Sequence, residues 1–203
     1  MAGLVARNIG SNISSNLSNS FSTARNTNID WHDYNFPPCL KLVHFRLSDF
    51  QDPKRGVIKK MYISWLLFEL VLSINIISTI VLAATVLKLI NILYTFLNLI
   101  LGTAFATFIF FQGYYGIAQK EERKVTWYKY GQAFLAVVYL VFALIPFGAL
   151  NGFVKIAWLT DIGSSPAEFG IAMCVIESLI YLSNCALACY CVYLVHTDKV
   201  TSI

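Results

Sequence analysis

From Met61 to Phe111 the chain carries only two formal charges, Glu69 and Lys88, among otherwise apolar and small residues. As a single helix this stretch would run ~77 Å at ~1.5 Å per residue, against a hydrocarbon core of ~30 Å. It therefore predicts a hairpin, turned where Lys88 is followed by Asn91, with helices over about 61–86 and 90–111. Gln112 to Lys129 is a polar interruption holding Lys120, Glu121, Glu122, Arg123, Lys124 and Lys129, and is expected to be a loop. A third apolar run, about 130–153, contains Pro146, which predicts a kink. Ser165-Pro166-Ala167-Glu168 has the order of a capping box with proline at the first helical position. It starts a fourth helix over about 166–195, leaving 196–203 as a tail.

The pattern fails toward the amino terminus. Gly10 to Asn28 is dominated by Ser and Asn with no sustained period, so 1–34 is expected to be a disordered tail. Residues 35–60 form a lead-in to the membrane. Pro37-Pro38 favours extended backbone, and Leu40 to Leu47 places its apolar residues on no single helical face, predicting an extended stretch on the membrane surface. Asp52-Pro53 then starts a short helix carrying Lys54, Arg55, Lys59 and Lys60.

Composition agrees with this segmentation, at 57% hydrophobic and 13% charged residues. The fold class expected is all-α: an integral membrane protein whose four-transmembrane-helix bundle occupies 61–195, with a disordered cytosolic N-terminal tail. Met1 to Arg7 does not read as a secretory signal, so the internal apolar segments are expected to direct insertion.

Charge then sets the orientation. Four spans put both termini and the central loop on one side, and of the fifteen Lys and Arg only Lys88 and Lys155 fall on the other. The excess of basic residues places both termini in the cytosol. Trp127, Tyr128, Tyr130, Tyr190 and Tyr193 lie where interfacial aromatic rings are favoured. The sequons at Asn12 and Asn16 then face away from glycosylation, and none of the five cysteines lies in a loop that would carry a structural disulfide.

Several residues are candidates for chemistry. Lys54, Arg55, Lys59, Lys60, Arg123 and Lys124 form a cytosolic basic face suited to anionic lipid, each contributing ~1 kcal/mol near the surface; alternatively they fix topology alone. Glu69, Asn75 and Glu177 are polar groups within spans. Glu69 is expected ~12 Å and Glu177 ~27 Å from the cytosolic side, too far apart to share a proton. Each carboxyl is either part of an ion pathway or a group bonded to Asn, Ser or Tyr on a neighbouring helix, and the sequence offers no basic partner at matching depth. Gly148 and Gly152 have the small-xxx-small spacing of closely packed helices, and self-association is one use of such spacing. Cys189 and Cys191 lie near the cytosolic end of the last span, where acylation is possible, and Cys191 is either such a site or an ordinary small apolar residue of the helix. The three histidines match no metal-site spacing, and no phosphate loop or nucleophile elbow occurs, so no metal, cofactor, catalytic residue or nucleic-acid partner is expected.

The order of features resembles the secretory carrier membrane protein (SCAMP) family. The residues that carry the resemblance are Asn35-Phe36-Pro37-Pro38, then Asp49-Phe50-Gln51-Asp52, then Met61-Tyr62-Ile63-Ser64-Trp65 with Asn75 farther along; Ile145-Pro146 and Val195-His196 are weaker echoes. The chain lacks the Asn-Pro-Phe repeats with which many members recruit adaptors. Where the family has a Cys-Trp-aromatic-Arg-Pro segment, Phe110 to Lys120 keeps only Ala118 and Lys120. The resemblance implies a non-enzymatic membrane-trafficking protein of post-Golgi and endosomal vesicles, with lipids, phosphoinositides included, and trafficking proteins as partners. The competing expectation is a small proton- or ion-coupled transporter or channel subunit using Glu69 or Glu177.

Overall fold

A computed structural model of the chain describes residues 29–36, 41, 43–85, 87–146 and 149–197. The expected disordered tail is largely outside these, as are Pro37, Pro38, Cys39 and Gly148. Two compact units divide at residue 51. In the first, Phe36 and Val43 pair as an isolated antiparallel bridge ahead of a short 3-10 turn, Leu47–Asp49.

The second unit is helical: α1 Lys54–Ala83, α2 Ile90–Gln119, α3 Glu122–Leu144, α4 Val154–Ile162 and α5 Ser165–Thr197. Four of these, α1, α2, α3 and α5, are long and apolar enough to cross a membrane, with mean hydropathies of 2.3, 1.9, 1.2 and 1.8. They pack in a ring, α1 on α2, α2 on α3, α3 on α5 and α5 on α1, while α4 packs on α5.

Since these helices are apolar all round, their inward faces are set by small and polar residues. In α5 the buried positions Ala167, Gly170, Cys174, Glu177, Tyr181, Asn184, Ala188, Cys191 and Val195 advance by alternating steps of three and four. Met61, Ser64, Phe68, Val71, Asn75, Ser78 and Leu82 do the same in α1, and Val125, Tyr128, Gln132, Leu135 and Tyr139 in α3. A 3.5-residue repeat is the seam of left-handed helix packing.

The expected boundaries shift in three places. The lead-in helix and the first span are one continuous helix from Lys54. The expected loop over Gln112 to Lys129 is almost wholly helical, α2 and α3 being separated by Lys120 and Glu121 alone. Gly113, Tyr114, Gly116 and Ile117 are buried, so tertiary packing carries the helix through polar sequence. Lys120 takes the left-handed conformation at φ 56, and its N–H bonds the Gly116 carbonyl to end α2.

In the third, Pro146 terminates a helix instead of kinking one. It forces Ile145 into extended backbone (φ −107, ψ 129), and α3 stops at Leu144. The chain then turns into the protein: Ala149, Leu150 and Asn151 are at most 1% exposed, and Phe153 N–H bonds the Ala143 carbonyl at 2.9 Å. Non-helical backbone at membrane depth is tolerated where protein buries it. The short helix α4 follows in what reads from sequence as a plain connection.

Candidate functional site

Two regions of the bundle hold the residues singled out from sequence. The first is a polar cluster in its core. Glu177, fully buried in α5, faces α1 and the inward turn after α3. Ser78 Oγ and Asn151 Nδ2 donate to Glu177 Oε1 at 2.7 and 2.8 Å, and Asn75 Nδ2 donates to Oε2 at 3.0 Å. Asn75 also donates to the Ala149 carbonyl at 3.2 Å and Ser178 Oγ to the Asn151 carbonyl at 3.5 Å, fastening the inward turn from both sides. Lys155, on α4 and 8% exposed, donates to Asn151 Oδ1, so a lysine reaches the carboxylate through one asparagine. The sequence-based expectation that no basic group shares the depth of Glu177 is corrected here: α4 carries Lys155 inward. Three donors converge on the Glu177 carboxyl group and satisfy both of its oxygens in the core.

Glu69 is separate from this cluster. Thr103 Oγ1 of α2 donates to its Oε2 at 2.5 Å, while Oε1 is buried with no hydrogen-bond partner among the described residues. Nearer the α1 start, Ser64 Oγ donates to Asn184 Oδ1 at 2.7 Å and accepts from Gln132 Nε2 at 3.2 Å, tying α1, α3 and α5 together. No group of His, Cys, Asp and Glu among the described residues is arranged to hold a metal ion.

Glycine packing differs from the expected Gly148 and Gly152 pair. Gly152 lies in the inward turn, not on a helix. A Cβ there would come within 2.8 Å of the backbone of Leu144 and Ile145, so glycine is what lets the chain press onto the end of α3. Among the described residues, the glycines that bring helices together are others. A Cβ on Gly113 would meet Met61 and Tyr128, on Gly116 the backbone of Val125, and on Gly131 the side chain of Ile109. For Gly113 and Gly116 the signal in the sequence is the Gly113-Tyr114-Tyr115-Gly116 spacing of three inside a segment that reads as a loop.

The second region is the basic end. Arg55, Lys59 and Arg123 are exposed, and Lys54, Lys60 and Lys124 half-buried. Lys54 at the start of α1 lies within electrostatic reach of Lys120 at the hairpin tip, so the two basic clusters share one end of the bundle. Beside the tip is a cleft of about 260 Å³ lined by Phe108, Gln112, Glu121, Arg123, Lys124 and Trp127. Lys124 is paired with Glu121 at 2.8 Å and donates to Gln119 at 2.9 Å. Lys60 sits 5.9 Å from the centre of the Tyr190 ring.

Of the cysteines in α5, Cys191 is fully buried on the seam and Cys189 is exposed. Of the two acylation candidates from sequence, Cys191 thus faces the core and Cys189 faces outward. Tyr128 likewise belongs to the core, whereas Trp127, Tyr130, Tyr190 and Tyr193 face out.

Comparison with curated proteins and with solved structures found no match. The family model of the SCAMP family matches residues 33–200, from the folded lead-in through all four spans. The chain therefore belongs to the SCAMP family, as a multi-pass membrane protein with four membrane-spanning helices.

Proposed function

We propose that this chain is a non-enzymatic membrane-trafficking protein of post-Golgi and endosomal vesicles that organises anionic lipids and partner proteins at a basic cytosolic face. Membership in the SCAMP family supports a trafficking role in general. The lipid-organising part rests on one observation: Arg123 and Lys124 border an open cleft at the same end of the bundle as Lys54, Arg55, Lys59 and Lys60. The bias of Lys and Arg toward that end supports a cytosolic orientation for it and for both termini.

The test uses the full chain purified in mild detergent with mixed lipids, the retained lipids being identified by native mass spectrometry. Anionic lipid, phosphoinositide above all, is expected to be retained over zwitterionic lipid. Arg123→Gln with Lys124→Gln should weaken retention by about fivefold per charge, from ~1 kcal/mol for each basic residue. Equal retention of both lipid classes would reduce the basic end to a topology signal. The transporter alternative has less support at Glu177, where both carboxyl oxygens are occupied by donors from neighbouring elements, than at Glu69, where one oxygen has no hydrogen-bond partner among the described residues. Proton or cation flux in proteoliposomes that Glu69→Gln or Glu177→Gln abolishes would reinstate it.

A further inference from the structure

The segment ahead of α1 is folded around one histidine. His44 is 2% exposed, and both of its ring nitrogens face oxygens. Nδ1 lies 2.9 Å from the Asp33 carbonyl and Nε2 lies 2.6 Å from Oδ2 of Asp49. A carbonyl oxygen only accepts, and so does an ionised carboxylate. A neutral imidazole has one N–H, so it bonds one of these oxygens and turns a lone pair on the other. The imidazolium donates at both nitrogens and closes both bonds.

The surroundings are arranged for that cation. Asp49 supplies a carboxylate directly. Asp33 supplies a second, shared with Arg46 at 2.9 Å. Trp31 lies edge-on to the ring at 5.8 Å between centroids. The same short stretch is cross-linked by Phe45 N–H donating to Asn35 Oδ1 at 2.9 Å, and by Phe36 and Val43 exchanging backbone bonds at 2.9 Å. His44 thus ties residue 33 to residue 49, close to the two ends of the folded segment.

We infer that residues 31–36 and 43–50 form a proton-operated clasp, closed on the His44 imidazolium and loosened when the ring is neutral. Burial pulls the His44 pKa down. The bonds to Asp49 and the Asp33 carbonyl, with the two acidic charges, outweigh it and hold the group above its ordinary 6.5. A pKa higher in the folded segment than in the unfolded one means that the proton favours the closed form. That contribution is complete below 6.5 and is lost as pH rises through the raised value, so the clasp closes on mild acidification and opens on alkalinisation.

Trp31 reports on it, because an imidazolium in contact with an indole quenches its emission more than a neutral ring does. In the full chain in lipid nanodiscs, Phe replaces Trp65, Trp127 and Trp158, leaving Trp31 as the sole indole. Its emission is expected to rise in one step centred above 6.5. His44→Gln should abolish the step, His32→Gln should leave it, and Asp49→Asn should move its midpoint down. Nitrogen-15 spectra of the histidine-labelled chain, with all four tryptophans in place, give the same midpoint independently. A His44 midpoint at or below 6.5, a step that survives His44→Gln, or a midpoint unmoved by Asp49→Asn overturns the clasp.

Discussion

At the scale of single residues, Glu177 and Gly152 carry the sharpest consequences. Glu177→Leu removes three accepted hydrogen bonds and leaves Lys155 buried with no carboxylate behind Asn151. Each buried donor left without its acceptor costs about 1–3 kcal/mol. Unfolding of the full chain in mixed micelles, followed by circular dichroism, is expected to show a loss of that order, with Glu177→Gln milder because one acceptor remains. Gly152→Ala sets a methyl within 2.8 Å of main-chain atoms, which are harder to displace than a side chain. About 1–3 kcal/mol is expected by the same measurement. Sequence alone singled out Glu177 and Asn75 as intramembrane polar groups, but it could not join them. Asn151 reads there as part of a helix, and nothing local to Lys155 says that α4 will carry it inward.

At the scale of elements, the existence and order of the four spans were legible from the apolar runs, whereas their ends were not. Polarity predicts a loop wherever charges accumulate, yet Gly113 and Gly116 let α2 approach α1 and α3 closely, and that contact extends the helix to Gln119. Gly116→Ala directs a methyl at the main chain of Val125 and should destabilise the hairpin by about 1–3 kcal/mol, read as an earlier unfolding transition. The inward faces were equally hidden, since an average over hydrophobicity cannot rank positions in a helix that is apolar all round. The alternating three- and four-residue spacing of polar and small residues in α5 was the available signal. It separates Cys189, outward, from Cys191, inward. A membrane-permeant maleimide should label Cys189 in the folded protein, and Cys189→Ser should remove that signal where Cys191→Ser leaves it unchanged.

At the scale of the whole molecule, SCAMP membership and four spans make this a multi-pass membrane protein with a general role in trafficking. The proposed orientation is checked in a cysteine-free background. In sealed vesicles isolated from cells, a cysteine replacing Glu121 should react with an impermeant maleimide added outside, and one replacing Thr85 only after the vesicle membrane is opened. The reverse pattern would invert the cytosolic assignment of the basic end. The two-residue junction between α2 and α3 has a mechanical corollary. Thirty helical residues measure ~45 Å, about 15 Å more than the hydrocarbon they cross, so α2 outreaches the bilayer's oily layer. With no slack at Lys120 and Glu121, arm length works as a caliper that fixes how far Arg123 stands from the apolar layer. Deleting one heptad from each arm would keep the inward register and draw that tip down by about 10 Å, changing its reach while leaving its charge untouched.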